Sequence, residues 1–370
     1  MTIPRAAIAG LMVLSACASS AAKAPKPAAV VALPAAKPEA RVHFDEGLRL
    51  MEDPAAATQA IAAFERATAA DPKLFEAFHD RGVVEARIGR HDSAIKSFER
   101  ALKVQPGSPR TVRALAEVYL RARRPGDAVE LLQDRMSAPP VDGAASDPEG
   151  DELRLLFVQA LRESGKTSRA LQEVEILLSR AGRNARAFNA LGLIYYRMER
   201  AALAETAFRR ALELDPKSAE VWNNLGLVAL QRGRDRDAFE AFDKAAALDA
   251  SFAEARFNKA GVLLDCGDYA RALTELESAA RARPNDPDLL VALGVAARGA
   301  GKPEEARRAY ESALAVAPGF PPAHFNLGIL YMDFLPDKAK AREHLQVYRK
   351  VAPSGDPRQK ETEMRLKELK

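Results

Sequence analysis

Between about Arg41 and Pro353 the chain repeats itself: bulky apolar, small and aromatic side chains return at an interval of 34 residues. The clearest copy carries Trp222, Leu225, Gly226, Ala238, Phe242 and Ala245. One period earlier stand Phe188, Leu191, Gly192, Tyr195, Ala204, Phe208, Ala211 and Pro216; one period later come Ala260, Gly267, Ala272, Ala279 and Pro284. Two further copies follow. The first has Leu290, Leu293, Gly294, Ala306, Tyr310, Ala313 and Pro318; the second has His324, Leu327, Gly328 and Tyr331, then one extra residue before Ala341, Leu345 and Pro353. A period of this size predicts a stack of helical pairs, each burying its apolar face against its neighbours. Leu225 and Trp222 are expected to face the partner helix, Gly226 and Ala238 to let the pair approach closely, and Phe242 to fill the space against the next pair.

Upstream the pattern weakens without disappearing. Residues 151–184 form a degenerate copy that keeps Gly165, Ala170 and Leu177 but lacks the small residue after its first bulky one. Phe78, Gly82, Gly89, Ala94, Phe98, Ala101 and Pro106 form a strong copy, and Leu115, Ala116, Tyr119 and Ala128 another. Phe64, Ala67 and Pro72 close a first copy whose opening helix carries an insertion near Pro54. That makes nine copies. Residues 137–150, with Pro139, Pro140, Gly143 and Pro148, read as a loop. The array is expected to bend or divide there, into a module of three repeats at 41–136 and one of six at 151–354. Residues 355–370 read as a charged capping helix in which Met364 and Leu366 or Leu369 cover the last apolar edge.

The spacing of Trp222, Leu225, Gly226, Ala238, Phe242 and Ala245 resembles the tetratricopeptide repeat (TPR), and the resemblance extends over most of the chain. It implies an all-α fold, a right-handed superhelix (α-solenoid) of about nine helix-turn-helix repeats with a C-terminal capping helix. It also implies that the first helix of each repeat lines a concave groove. On that frame the fifth repeat presents Asn189, Leu193, Tyr196 and Arg197, and the sixth Asn223, Leu227 and Leu230. The seventh presents Phe257 and Leu264, the eighth Val291 and Val295, and the ninth Phe325, Ile329 and Met332. Asn224, Asn258 and Asn326 stand beside this strip. Apolar residues flanked by amides suit an extended or helical segment of a partner, whose side chains need pockets and whose peptide groups need partners. The other reading is that the asparagines tie neighbouring helices and the apolar residues pack between repeats. The lysine, asparagine and arginine set with which some members grip a C-terminal carboxylate is not preserved: Glu254 or Asp288 stands where a basic residue is needed, and Leu193 or Leu227 where an asparagine is. In the N-terminal module the same face is more polar, with His79, Arg87, Arg110, Arg113, Glu117 and Arg121; it reads as a solvated face or as a site for a second, acidic partner.

The N-terminus adds a location. Residues 1–16 carry one basic residue, Arg5, and an apolar stretch from Ala6 to Leu14 too short to cross a bilayer, as in a secretion signal. The signal ends in Leu14-Ser15-Ala16-Cys17, which resembles a bacterial lipobox. By that resemblance Cys17 becomes the first, acylated residue, and its acyl chains hold the protein stably on a membrane. Ala18 in place of an aspartate leans toward the outer membrane. Residues 17–40, rich in Ala, Pro and Lys, read as an extended tether.

Composition removes other classes. The 55 basic and 51 acidic residues are interspersed, net charge +4, without a basic run carrying aromatics, so no nucleic acid is expected as partner. Cys17 and Cys266 make no disulfide framework. His43, His79, His91, His324 and His344 lack metal-ligand spacing, and no phosphate loop or nucleophile elbow is present. No catalytic residue, metal or cofactor is expected. Cys266 reads as a partly buried thiol without a role. The sequence thus points to an envelope scaffold anchored by lipid that helps assemble a pilus, secretin, motility or outer-membrane machine. The alternative is an accessory activator of polysaccharide or cell-wall synthesis.

Overall fold

The computed structural model describes residues 36–136, 148–180 and 182–369. Among them the ordered elements are α-helices and one short 3-10 helix, with no strand. The helices pair in chain order: α1 (Pro38–Met51) with α2 (Ala57–Ala70), α3 (Phe75–Arg87) with α4 (His91–Val104), α5 (Pro109–Arg121) with α6 (Pro125–Met136), α7 (Pro148–Glu163) with α8 (Thr167–Arg180), and α9 (Ala185–Arg197) with α10 (Ala201–Leu214). The run continues with α11 (Ala219–Gln231) and α12 (Asp235–Leu248), α13 (Ala253–Asp265) and α14 (Tyr269–Ala282), α15 (Pro287–Gly299) and α16 (Pro303–Val316), and α17 (Pro321–Asp333) and α18 (Lys338–Val351). A single helix, α19 (Arg358–Glu368), follows the ninth pair. Several starts are set locally: Asn184 accepts from the Ala187 N–H at 3.0 Å, and Asp337 from those of Ala339 and Lys340 at 3.1 and 3.0 Å. Turns inside a pair use left-handed backbone, as at Gly301 (φ 75°); Arg123 (φ 57°) and Glu199 (φ 58°) adopt it without glycine's freedom.

A small-against-large rule holds each pair together. A Cβ on Gly226 would lie 2.5 Å from the Phe242 ring, and the same relation joins Gly192 to Phe208 and Gly82 to Phe98. Phe242 therefore packs first within its own repeat, while also reaching the core that contains Val262 of the next. Repeats without that glycine have a smaller partner sixteen positions on: Ala116 with Leu132, Ala260 with Leu276, and Val158 with Val174. All six are buried. This accounts for the degenerate fourth repeat, where Val158 needs no smaller residue because Val174 has no ring.

A second rule covers the outer edge. Where the fourth residue of a first helix is Phe or Trp, a cation twenty-two positions later lies over its ring: Arg100 over Phe78 at 5.9 Å, Arg210 over Phe188 at 6.0 Å, Lys244 over Trp222 at 4.0 Å. Where the same place of the 34-residue period holds arginine, the partner is an acid nineteen positions later. Arg154 pairs with Glu173, and Arg256 with Glu275 at 2.7 Å.

Three boundaries differ from the sequence reading. α1 begins at Pro38, inside the segment 17–40 read as tether, because Pro suits the first helical position and Ala40 and Phe44 are buried against α2. α7 begins at Pro148, inside the loop read at 137–150; residues 137–147 lie outside the described ones. The stack is also not divided there. One core joins Leu115, Tyr119 and Leu132 to Phe157 and Leu161, so packing is continuous between the residues on either side of 137–147. At the far end Leu369, 5% exposed, and Leu366 cover the last repeat, whereas Met364 is 59% exposed and takes no part in the cap. The solenoid curls until the turn at Arg123, in the third repeat, shares a cleft of about 490 Å³ with residues 283–288, which link the seventh repeat to the eighth.

Candidate functional site

First helices of successive repeats meet, as α7 with α9, α9 with α11 and α15 with α17, so they line the inner side of the stack, the candidate groove. Asparagines run across it in pairs: Asn224 Nδ2 donates to Asn189 Oδ1 at 3.0 Å, and Asn258 Nδ2 to Asn223 Oδ1 at 2.8 Å. Asn189 Nδ2 in turn donates to Glu220 Oε1 at 2.9 Å. Asn326 donates to the Pro322 carbonyl of its own helix at 2.8 Å. The amides of Asn189, Asn224 and Asn258 thus tie successive repeats, and their fixed orientation presets the groove that a peptide would meet.

The apolar residues named from sequence divide by burial. Leu230 is 37% exposed, and Leu193, Tyr196, Leu227, Phe257, Leu264, Val295 and Phe325 are half-buried, so each shows surface. Val291, Ile329, Asn223 and Asn326 are buried and show little. Phe325 is further covered by Tyr348, 5.3 Å between ring centres, and by the Arg358 guanidinium of the cap. The open part of the strip therefore lies over α9, α11 and α13.

Asn189 and Leu193 also enter a polar pocket of about 210 Å³ with Gln159 and Arg162 of α7, Arg186 of α9 and Glu220 of α11. Gln159, Arg162 and Glu220 were not singled out in the sequence. The signal existed, since they hold groove positions of their repeats, but Gln159 and Arg162 stand in the degenerate copy and Glu220 reads as a solvated charge at a helix start.

On the N-terminal face His79 is not part of a polar surface, as the sequence suggested. It is buried, and its Nδ1 lies 2.9 Å from Thr111 Oγ1. The Thr111 hydroxyl donates to Ser108 Oγ at 3.1 Å, so it accepts from a His79 Nδ1–H. Burial, aided by the Arg110 charge, depresses the His79 pKa from 6.5 to about 4. Burial raises neighbouring Asp80 from 3.8 to about 6; Arg110 opposes this and Glu76 adds to it. The signs are opposite. His79 contributes stability that is present above pH 6.5 and lost as pH falls toward 4, while protonation of Asp80 favours the fold as pH falls from 6 to 3.8. Asp80→Asn should add about 1–3 kcal/mol at pH 7 and unmask a loss of similar size between pH 6.5 and 4. Amide exchange in α3, measured across that range, checks this; a flat profile in the variant counts against it.

Elsewhere, His324 and His344 face each other at 3.1 Å between Nδ1 atoms, and His324 Nε2 meets the Pro318 carbonyl at 2.9 Å. Among the described residues no three His, Cys, Asp or Glu side chains gather as a metal site would require. Cys266, read as partly buried, is exposed at the edge of an apolar pocket with Phe239 and Val262.

Two models of the tetratricopeptide repeat match this chain, one at residues 57–109, 155–219, 189–251 and 291–357, the other at 88–146 and 229–293. The chain belongs to the tetratricopeptide repeat family. Members of this family are protein–protein interaction scaffolds. Among curated relatives, the peroxisomal targeting signal receptor of Komagataella phaffii is 26% identical over 189 residues, 48% of this chain and 31% of that protein. The DnaJ protein P58IPK homolog of Arabidopsis thaliana is 24% identical over 156 residues, 41% of this chain and 32% of that one. This tetratricopeptide chain thus spans about a third of the length of the curated relatives it matches. Of solved structures, a tetratricopeptide repeat protein from Parabacteroides merdae superposes with TM-score 0.45 at 17% identity, covering 71% of this chain and 98% of that one. YrrB, described as a TPR protein with an unusual peptide-binding site, gives 0.39 at 22% identity, covering 46% and 88%.

Proposed function

We propose that this chain is a non-catalytic adaptor, held by a lipid on Cys17 in the bacterial envelope at the outer membrane, that binds extended or helical segments of envelope proteins and assists assembly of a pilus, secretin, motility or outer-membrane machine. The observation that carries the binding half is the open apolar strip over α9, α11 and α13, bordered by amides that hold one another in place. Such a strip offers pockets for alternate side chains, with the half-buried amides of Asn189 and Asn258 beside it for a peptide backbone. A targeting signal receptor among the relatives agrees with recognition of a short segment. The location rests on the sequence Leu14-Ser15-Ala16-Cys17, which lies outside the described residues. A tether ending at Pro38 would give the array a reach of about 60 Å from the lipid at about 3.1 Å per extended residue.

Crosslinking in intact envelopes, then affinity purification and mass spectrometry, tests both halves with three forms: native, Cys17→Ala, and Leu227→Glu with Phe257→Glu. The expected result is a defined set of envelope proteins, lost when the groove is charged and released from the membrane fraction with Cys17→Ala. Capture unaffected by the groove substitutions moves the site to another face. A protein that fractionates alike with and without Cys17 has no lipid anchor there.

A further inference from the structure

Arg162 is a half-buried groove residue without a charged or hydrogen-bonding partner among the described residues. It stands near the end of α7 and reaches into the polar pocket of about 210 Å³, where Leu155 and Leu193 supply apolar walls. Among the described residues its guanidinium has no ion pair and no hydrogen bond. The potential partners are engaged elsewhere: Glu220 accepts from Asn189, Gln159 donates to Glu163 at 2.9 Å, and Glu152 pairs with Arg186. Burial works against the Arg162 charge and lowers its pKa; Glu163 and Glu220 partly offset this, and Arg197 adds to it. A guanidinium does not escape such a cost by losing its proton, so its planar set of donors remains half-desolvated and unfilled.

We infer that Arg162 is the anchor for a side-chain carboxylate, an Asp or Glu within an extended partner segment lying in the groove. A carboxylate matches the fork of a guanidinium with two parallel hydrogen bonds. A doubly charged phosphate fits less well, because Glu220 lines the pocket, the Glu163 charge acts on Arg162, and Glu152 is paired with the Arg186 of its wall. First helices stand on both sides of α7, α5 before it and α9 after it, which leaves room for a chain to run on past Arg162. That room suits an internal acid; a C-terminal carboxylate is an outcome the test separates. Leu193 and then Leu227 lead away from the pocket, so the segment recognised carries one acidic residue followed by apolar anchors. The inference rests on the groove being the binding surface.

The test is selection from a library of short random peptides flanked on both sides, using the full chain, followed by synthetic peptides acetylated and amidated at their ends. The selected peptides should share an Asp or Glu, and its change to Asn or Gln should weaken binding roughly tenfold. Arg162→Gln should lose the same factor against the acidic peptide and nothing against its neutral form, a pattern that general misfolding does not produce. Selected peptides that lack an acid and bind Arg162→Gln as tightly as the native chain overturn the assignment; if they still fail against Leu227→Glu, the groove reading survives. Tighter binding of a phosphoserine in place of the acid, or dependence on a free C-terminus, overturns the internal carboxylate. No binders at all removes both readings.

Discussion

Glu173→Ala should cost the fourth repeat about 3–5 kcal/mol, the penalty of leaving a buried charge without its partner. The side chains of Arg154 and Glu173 are only 6% and 10% exposed, and Arg154 Nε already lacks a partner. Alanine at 173 would strand the whole guanidinium between α7 and α8. Local amide exchange in those helices is the right measurement, since a repeat array need not unfold as one unit. The rest of the chain also supplies the repair. Phe188 and Trp222 stand at the place of Arg154, with Ala207 and Ala241 at the place of Glu173. Arg154→Phe combined with Glu173→Ala should therefore recover most of the loss, replacing an ionic pair by an apolar one of similar volume. A cost below about 1 kcal/mol for Glu173→Ala would mean the pair behaves as a solvated one.

Gly226→Ala should destabilise the sixth repeat by about 1–3 kcal/mol, although alanine favours a helix interior by nearly 1 kcal/mol over glycine. The new methyl would lie 2.5 Å from Cε1 of Phe242, so the ring has to move or the helices part. Combining it with Phe242→Leu recreates the arrangement at Ala116 with Leu132 and at Ala260 with Leu276. A thermal double-mutant cycle should then show the two substitutions compensating, with a favourable coupling of about 1–3 kcal/mol. Additive losses would show that the pair packs independently.

Most of the fold was legible because the period is long and the small positions recur at fixed places, from Gly82 to Gly328. What the sequence concealed were relations between positions. Arg154 looks like a defect in an apolar slot until Glu173 is found facing it, and Val158 looks too large until Val174 is found small. The candidate groove was legible as a surface but not as a set of accessible atoms. Val291 and Ile329 hold groove positions yet are buried, because neighbouring helices close over them. The asparagine pairs join residues one step beyond the period, 189 to 224 and 223 to 258, so alignment of equivalent positions does not bring them together. Arg162 was hidden by its repeat's degeneracy, which discouraged applying the groove positions there.

The cleft shared by Arg123 and residues 283–288 makes the array a coil whose adjacent edges face one another. A slender strand can be fed along the bore of such a coil, whereas a thick folded object has to spread the gap between its turns. Spreading draws on small rotations at every interface between repeats, so the strain is shared along the spring and no single hinge is needed. An object held inside would then set the pitch, and the distance between the two ends of the molecule would report its girth.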